Sequence, residues 1–90
     1  MKVQYFALLR NATHKREETW TRPAADVRGL LTDLCTTYGE PFAKWVMENG
    51  ELAKFVVVLV DGPDVRSLAG LDTPLADTSE IAVFPPLAGG

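Results

Sequence analysis

The sequence predicts an α+β fold in which a mixed β-sheet packs on one main helix. Three observations support this class: β-favouring segments near both ends of the chain, one long amphipathic helix between them, and a separate apolar run that suits a further strand. The chain has 90 residues, enough for one domain whose core is only just large enough for stability.

A β-hairpin is predicted at the start of the chain. Residues 3–9 form its first strand and include the β-favouring Val3 and Tyr5. Residues 17–22 form the returning strand, and the polar residues 11–14 supply the turn between them. This hairpin would give the sheet two adjacent antiparallel strands.

A long amphipathic helix is predicted next. Asp26 is suited to cap its start, because the carboxylate can accept hydrogen bonds from the first turn. Gly39 is placed to end it in a left-handed cap. We expect the Cys35 thiol, on the apolar face of this helix, to be buried and inert rather than a sulfur-relay or redox group. The residues of that face recur at helical spacing: Val27, Leu30, Leu31, Leu34, Cys35 and Tyr38.

The second half of the chain supplies the remaining elements. A short helix over residues 41–48 begins at a proline, which the first turn of a helix tolerates. Residues 55–60 are all apolar, which predicts a central strand buried on both faces. Residues 65–73 are predicted to be irregular. Residues 77–80 then turn into a final strand over residues 81–84.

A sheet with one helix on it leaves its other face open. Apolar side chains from the central and final strands would remain on that face, and such a patch on a small protein usually marks a partner surface. The net charge is −3, and after Lys54 the only basic residue is Arg66, against Asp61, Asp64, Asp72, Asp77 and Glu80. These acids are either an ordinary solvated face or an acidic surface around the exit of the C-terminal tail that would attract a basic partner. Their charge disfavours nucleic-acid binding.

Composition excludes several other classes of protein. The single cysteine, Cys35, excludes an internal disulfide and a multi-cysteine zinc site, and the single histidine, His14, makes a metal cluster unexpected. The apolar run over residues 55–60 is too short to cross a membrane. The start of the chain does not resemble a signal peptide. We therefore expect a cytoplasmic protein that binds no membrane.

The chain ends in the uncharged segment Pro-Pro-Leu-Ala-Gly-Gly. The prolines cannot donate ladder hydrogen bonds, so residues 1–86 are predicted to form the domain and residues 87–90 a flexible tail. Neither Gly89 nor Gly90 has a Cβ atom, and the pair therefore fits a narrow channel. We expect the tail to be inserted into another protein, with Leu87 as its one large apolar side chain.

Three segments resemble the MoaD/ThiS family of sulfur carriers. Residues 5–10 (Tyr-Phe-Ala-Leu-Leu-Arg) are similar to its opening strand, and residues 72–77 and 80–90 are similar to its closing pattern. The resemblance covers nearly the whole chain and is strongest at the C-terminus. The chain departs from the family at residues 78–79, where Gly-Asp is common, and at Asn11, where a glutamate is frequent. The resemblance implies the ubiquitin-like β-grasp fold.

The resemblance also implies a carrier that is not itself an enzyme. An ATP-dependent, E1-like activating enzyme would adenylate the carboxylate of Gly90, and a sulfur donor would displace AMP to leave a thiocarboxylate there. The carrier would bind no cofactor, since the partner consumes the ATP. The tail residues Leu87, Ala88 and Gly89 would enter the partner.

At the base of the tail, Phe84, Pro85 and Pro86 are the candidate partner interface, because buried aromatic side chains dominate such interfaces. Phe84 is equally suited to be a core residue of the last strand.

The closing pattern favours the small subunit of molybdopterin synthase. In that role the chain would donate sulfur to molybdopterin inside the large catalytic subunit. The alternatives are a carrier for tRNA thiolation or for cysteine, thiamine or specialised-metabolite synthesis, a ubiquitin-like modifier joined to lysines through Gly90, and a plain interaction module.

Overall fold

The computed structural model describes residues 1–86, which form a four-stranded sheet, a small two-stranded sheet and helices around one core. The predicted tail, residues 87–90, lies outside the described residues, so the boundary after Pro86 stays a prediction. In chain order the elements are β1 (Lys2–Tyr5), α1 (Leu9–Thr13), β2 (Glu17–Thr19), α2 (Val27–Tyr38), α3 (Glu40–Val46), β3 (Met47–Glu48), β4 (Glu51–Leu52), β5 (Val57–Val60), two 3-10 turns (Val65–Ser67 and Gly70–Asp72) and β6 (Glu80–Phe84).

The four-stranded sheet has the order β2-β1-β6-β5. The strand β1 pairs with β6 in parallel and with β2 in antiparallel fashion, while β5 is antiparallel to β6. The first and last strands therefore lie side by side at the centre of the sheet. This confirms the predicted α+β class and the mixed sheet.

The prediction that residues 55–60 form a central strand is wrong. The strand begins at Val57 and lies at the edge of the sheet, because the parallel pair of β1 and β6 occupies the centre. Both faces of this edge strand are nevertheless apolar. Val58 and Val60 belong to the core, while Val57 and Leu59 are half-buried on the opposite face.

The first strand ends earlier than predicted, and residues 11–14 are not a simple turn. Ala7 has a φ of 52° and directs the chain out of the sheet into the short helix α1. Leu9 and Thr13 are buried in the core, and the Thr13 hydroxyl donates to the Leu9 carbonyl at 3.0 Å. Burial of this one helical turn is the reason that the hairpin connection is helical. His14 is exposed at its end, with a φ of 62°.

The main helix α2 has the predicted bounds. The Asp26 carboxylate accepts a hydrogen bond from the Gly29 backbone N–H at 2.8 Å, which confirms the predicted cap. The helix ends at Gly39 as predicted, but the left-handed cap is wrong: Gly39 has a φ of 74° and a ψ of −161°. This positive-φ conformation, which glycine adopts readily, turns the chain directly into α3, so that the two helices pack on each other.

The second helix is shorter than predicted. It ends at Val46, and Met47–Glu48 pairs with Glu51–Leu52 as a small hairpin. Asn49 and Gly50, which have positive φ angles of 53° and 80°, form the turn. An Asn-Gly pair in this conformation matches the twist of a two-residue hairpin. This explains why residues 47–48 form a strand instead of the end of the predicted helix.

The core lies between α2 and one face of the sheet. Cys35 is half-buried beside it rather than fully buried, and burial, with a smaller contribution from the Glu40 charge, raises the pKa of its thiol. A raised pKa leaves little thiolate at neutral pH, which agrees with the predicted inert thiol. The fully buried side chains include Val3, Tyr5, Leu30, Leu31, Leu34, Phe42, Val58 and Val83.

Candidate partner-binding surface at the base of the tail

One face of the four-stranded sheet is not covered by α2, as predicted; we call it the open face. Side chains alternate along each strand, so that in β6 Ile81 and Val83 are buried while Ala82 and Phe84 face away from the core. The registers of β1 and β5 add the remaining members of this face. Its uncharged residues, all half-buried, are Gln4, Phe6, Val57, Leu59, Ala82 and Phe84.

An aromatic pair marks the end of the open face from which the tail departs. Phe6 follows directly after β1, and its N–H donates to the Val83 carbonyl at 3.2 Å. The Phe6 and Phe84 rings are stacked, with centroids 4.1 Å apart and an angle of 12° between their planes. Such a pair contributes about 0.5–1.5 kcal/mol beyond its burial. We call Phe6, Phe84 and their neighbour Val57 the apolar row.

Arg10 lies next to the apolar row. Its guanidinium carbon is 5.3 Å from the centroid of the Phe6 ring, and its Nε donates to the Tyr5 carbonyl at 3.0 Å. A cation above an aromatic ring is attracted by the negative face of the ring's quadrupole. The hydrogen bond and this attraction together fix a positive charge beside the point where the last strand ends.

The two prolines differ in their surroundings. The last strand ends at Phe84, which agrees with the expectation that prolines stop the sheet. Pro85 is buried, so its ring packs inside the domain, whereas Pro86 is half-buried. Phe84 lies on the open face outside the buried core. Of the three predicted interface residues, Phe84 and Pro86 therefore have accessible surface for a partner.

The chain just before β5 also reaches this end of the open face. Val57 pairs with Phe84, so the residues immediately before Val57 lie near the end of β6. Phe55 is 62% exposed, the most exposed large apolar residue among those described. The Lys54 ammonium group lies 5.5 Å from the centroid of the Phe55 ring. A second cation and a further aromatic ring thus border the apolar row on its β5 side.

The segment that carries Phe55 is held by Arg66. The Arg66 guanidinium donates to the Ala53 carbonyl at 2.7 Å and to the Val56 carbonyl. Both acceptors belong to the turn that leads into β5. One side chain from a 3-10 turn therefore fixes the approach of this segment to the sheet.

Two of the acidic residues that follow Lys54, Asp61 and Glu80, lie at the opposite end of the open face. The Asp61 carboxylate accepts from the Glu80 backbone N–H at 2.9 Å, and Glu80 begins the strand that Phe84 ends. This strand places them about 13 Å from Phe84. Asp61 and Glu80 therefore do not form an acidic surface around the tail's exit, because the turn before β6 lies at the opposite end of that strand from Phe84.

A partly buried polar network lies on the other side of the sheet. The hydroxyl groups of Tyr5 and Tyr38 both donate to the Glu18 carboxylate, and the Lys15 ammonium lies 3.4 Å from it. Burial and the bond to Glu18 raise the pKa of Tyr5. Burial alone would raise the pKa of Glu18, but the hydroxyl bonds and the Lys15 charge outweigh it and lower that pKa. These groups join β2 to α2 and have a structural role.

Residues 1–86 contain neither a metal-binding cluster nor a membrane-spanning helix. No group of three or more His, Cys, Asp and Glu side chains in that part of the chain is arranged to hold a metal ion. None of the helices between residues 1 and 86 has both the length and the apolar character needed to span a membrane. Among the described residues, the stacked Phe6–Phe84 pair and the exposed Phe55 make the open face the candidate functional surface.

The mixed sheet, the main helix on one face and the open face that leads to a Gly-Gly end define a small ubiquitin-like β-grasp domain. The sequence matches the ThiS family over residues 3–90, and the chain belongs to this family of ubiquitin-like sulfur carriers and modifiers. Its members are small carrier proteins rather than catalysts. The predicted resemblance is thereby confirmed for the family, while the assignment to molybdopterin synthase stays a prediction.

Three relatives illustrate this similarity. The chain is 33% identical to small archaeal modifier protein 3 of Haloferax volcanii over 91 aligned residues, which cover all of this chain and 98% of that protein. The solution structure of small archaeal modifier protein 1 from Methanosarcina acetivorans has a TM-score of 0.81 at 33% identity, covering 99% of this chain and 94% of the other. A chain of the Amycolatopsis orientalis BexX/CysO complex shares the fold, with a TM-score of 0.82 at 24% identity and coverage of 99% and 98%.

Sequence reasoning missed part of this surface. It singled out Phe84, but it did not place Phe6, Val57 or Arg10 beside it. Alternation along β1 contains the signal for Phe6, because Val3 and Tyr5 are buried and the next residue must face the other way. The position of Arg10 had no such signal, since it depends on the unexpected helix α1.

Proposed function

We propose that this protein is a sulfur carrier whose Gly90 carboxylate is activated and then converted to a thiocarboxylate. The carboxylate would attack the α-phosphate of ATP on an E1-like activating enzyme and release pyrophosphate. A sulfide-level donor would then attack the acyl carbon of the adenylate, the bond to AMP would break, and –COS⁻ would remain on Gly90. The carrier would bind no cofactor of its own and would act in the cytoplasm.

The observation that carries this proposal is the ThiS-family match, which extends through both terminal glycines. The described domain supports it. The carrier would need no catalytic side chains of its own, because a thiocarboxylate sulfur is itself an anionic nucleophile at neutral pH, like a thiolate. The apolar row and the exposed Phe55 border the place where the chain leaves the sheet, which suits a surface that docks while the tail enters a partner.

Intact-mass spectrometry tests the proposal. The protein is incubated with ATP, a sulfide source and the E1-like enzyme encoded in the same genome, whose activity is shown separately by ATP–pyrophosphate exchange. We expect one oxygen to be replaced by sulfur, and no replacement in a variant that lacks Gly89 and Gly90. An unchanged mass with an active enzyme would refute the carrier.

We propose that the sulfur is used in the synthesis of molybdopterin, and this is the first pathway to test. The support is the closing pattern in which Phe84 is followed by two prolines and the Gly-Gly end. Thiocarboxylated protein mixed with a molybdopterin synthase large subunit and the sulfur-free pterin precursor should convert that precursor to the dithiolene, while water returns Gly90 to a carboxylate. Absence of product would redirect the search to acceptors in tRNA thiolation or in cysteine, thiamine or specialised-metabolite synthesis.

A second candidate function is protein modification through Gly90. The full-length identity of 33% to a small archaeal modifier protein favours it. The same acyl-adenylate would then lead to an isopeptide bond with a lysine of a target protein. Lysine-linked conjugates in cells, lost on deletion of Gly90, would support this function. Their absence beside a detectable thiocarboxylate would leave the carrier role alone.

A further inference from the structure

The two edge strands of the four-stranded sheet, β2 and β5, differ in what covers their outer edges. The outer edge of β5 is closed by the residues that follow it in the chain. The Val60 N–H donates to the Pro63 carbonyl at 2.9 Å, and Leu59 forms an antiparallel bridge with Asp64. A further strand therefore has no place to pair on the β5 side of the sheet.

The outer edge of β2 is open among the described residues. The Arg16 carbonyl and the Trp20 N–H, at either end of β2, form hydrogen bonds directed inward, toward β1. Because bonding alternates along an antiparallel ladder, the backbone groups of Glu17 and Thr19 point away from β1. Within residues 1–86 no hydrogen bond joins these groups to another part of the chain. The strand therefore presents two donors and two acceptors to its surroundings.

Two cations flank this open edge. Arg16 and Arg22 lie at its two ends, and both are exposed. The Arg22 guanidinium carbon is 4.5 Å from the centroid of the Trp20 ring, and the guanidinium donates to the Thr37 hydroxyl of α2 at 2.7 Å. These contacts hold Arg22 beside the edge, on the side of α2. In an extended chain the two arginines would be about 20 Å apart.

The carboxylates near this edge do not pair with either arginine. Glu17 pairs with Lys2 at 3.0 Å. Glu18 accepts from two tyrosine hydroxyls and pairs with Lys15. Asp33 of α2 forms no ion pair within residues 1–86. The open edge is therefore cationic, although the net charge of the chain is −3.

This charge pattern selects among the segments that could pair with the edge. A second copy of the chain is disfavoured, because antiparallel self-pairing about Thr19 would place Arg16 of one copy opposite Arg22 of the other. An extended segment with carboxylates near both ends suits the edge instead. Its backbone can bond to the outward groups of β2, and its charges can face the two arginines.

We propose that the outer edge of β2 binds an extended acidic segment of another protein as a fifth strand of the sheet. The segment would have about seven residues, bond to the backbone of Glu17 and Thr19, and place a carboxylate at each of Arg16 and Arg22. The strand β1 separates this edge from β6, so the segment need not contact the strand from which the tail departs. The interaction goes beyond the carrier function, because it uses neither the tail nor the open face.

NMR titration of the full-length ¹⁵N-labelled protein tests this inference and suits the weak affinity expected of so short a contact. The probe is the capped peptide Ac-Glu-Val-Thr-Val-Thr-Val-Glu-NH2, whose terminal side chains are about 20 Å apart when it is extended. We expect chemical-shift changes at residues 15–22 and slower amide hydrogen exchange at Glu17 and Thr19. A control peptide with lysine in place of both glutamates should bind at least about tenfold more weakly.

Two variants separate the charges from the backbone pairing. Arg16→Glu/Arg22→Glu should weaken binding of the acidic peptide at least about tenfold. Thr19→Pro removes an outward donor without removing a bond to β1, and it should weaken binding to a similar extent. The matched control Arg28→Glu/Lys44→Glu changes the net charge equally at exposed positions on α2 and α3. It should bind within about twofold of wild type at physiological salt.

The outcomes that would overturn the proposal are distinct. The proposal is wrong if millimolar acidic peptide causes no shift changes, if both peptides bind equally, or if Arg16→Glu/Arg22→Glu binds like wild type. Shifts of the same amides with protein concentration, in the absence of peptide, would show instead that a second copy occupies the edge. Should circular dichroism show that Thr19→Pro is unfolded, wild-type exchange decides: unchanged exchange at Glu17 and Thr19 with saturating peptide would mean that no strand is added.

Discussion

The two faces of the sheet come from the same strands but differ in what their side chains do. On the covered face Val3, Val58 and Val83 have no exposed surface and pack against α2 and its neighbours. On the open face Phe6 and Phe84 are half-buried and stack on each other outside the core. Folding therefore depends on every second residue, and the residues between them can be specialised for contact with another protein.

The largest expected effect comes from removing a ring on the covered side. Phe42 is fully buried and contacts Tyr5 edge to face, with ring centroids 6.0 Å apart. Phe42→Ala should lower the free energy of unfolding by about 3–5 kcal/mol, because it leaves a cavity in the core. Urea denaturation measures this. Phe55→Ala removes the same ring from an exposed position and should change stability by less than about 0.5 kcal/mol; equal losses in both variants would contradict the contrast.

Removal of a ring from the open face should affect binding more than folding. We expect Phe84→Ala to lower the free energy of unfolding by about 1–2 kcal/mol, because it loses only half-buried contacts and the stack on Phe6. Its affinity for the activating enzyme should fall about tenfold or more, as at an interface hot spot. Calorimetry on the folded fraction measures the affinity. Unchanged affinity combined with a stability loss as large as that of Phe42→Ala would make Phe84 a core residue after all.

The network behind the sheet predicts a pH dependence. The folded-state pKa of Glu18 is lowered, so the stability it provides is present above the usual carboxyl pKa near 4.3 and is lost as pH falls through the lower folded value. Glu18→Gln should therefore cost about 1 kcal/mol at pH 7 and much less at pH 3. Denaturation at both pH values measures the difference.

The neighbouring Glu17 is the matched control for this prediction. It pairs with Lys2 at the surface, where both side chains are about half exposed. Glu17→Gln should leave the free energy of unfolding at pH 7 nearly unchanged, because an exposed ion pair contributes little to stability. A loss at Glu17 as large as that at Glu18 would show that burial of the tyrosine network is unimportant.

The smallest effect concerns the backbone bend at Ala7, where the chain leaves the sheet after β1 and enters α1. Ala7 has a φ of 52°, which glycine adopts without strain, so Ala7→Gly should stabilise the fold by up to about 1 kcal/mol. Ala12→Gly, within α1, should instead destabilise it by about 0.5–1 kcal/mol. Thermal unfolding measures both. Destabilisation by both glycines would mean that the bend at Ala7 stores no strain.

Local signals predicted the elements whose residues interact with near neighbours in sequence. The bounds of α2 follow from its apolar spacing and from the Asp26 cap, both of which act within a few residues. The edge position of β5 could not be predicted in this way, because an apolar strand suits the centre of a sheet equally well. Likewise α1 forms because Leu9 and Thr13 are buried by distant parts of the chain.

The sequence by itself determined the α+β class, the main helix, the end of the last strand at two prolines and the family that the Gly-Gly pattern indicates. Only the tertiary structure decided which residues meet at the base of the tail. The parallel pairing of β1 with β6 brings Phe6 to Phe84, and the antiparallel pairing of β5 with β6 brings Asp61 to Glu80 at the far end. Strand order depends on contacts between residues far apart in sequence, and local patterns do not contain that information.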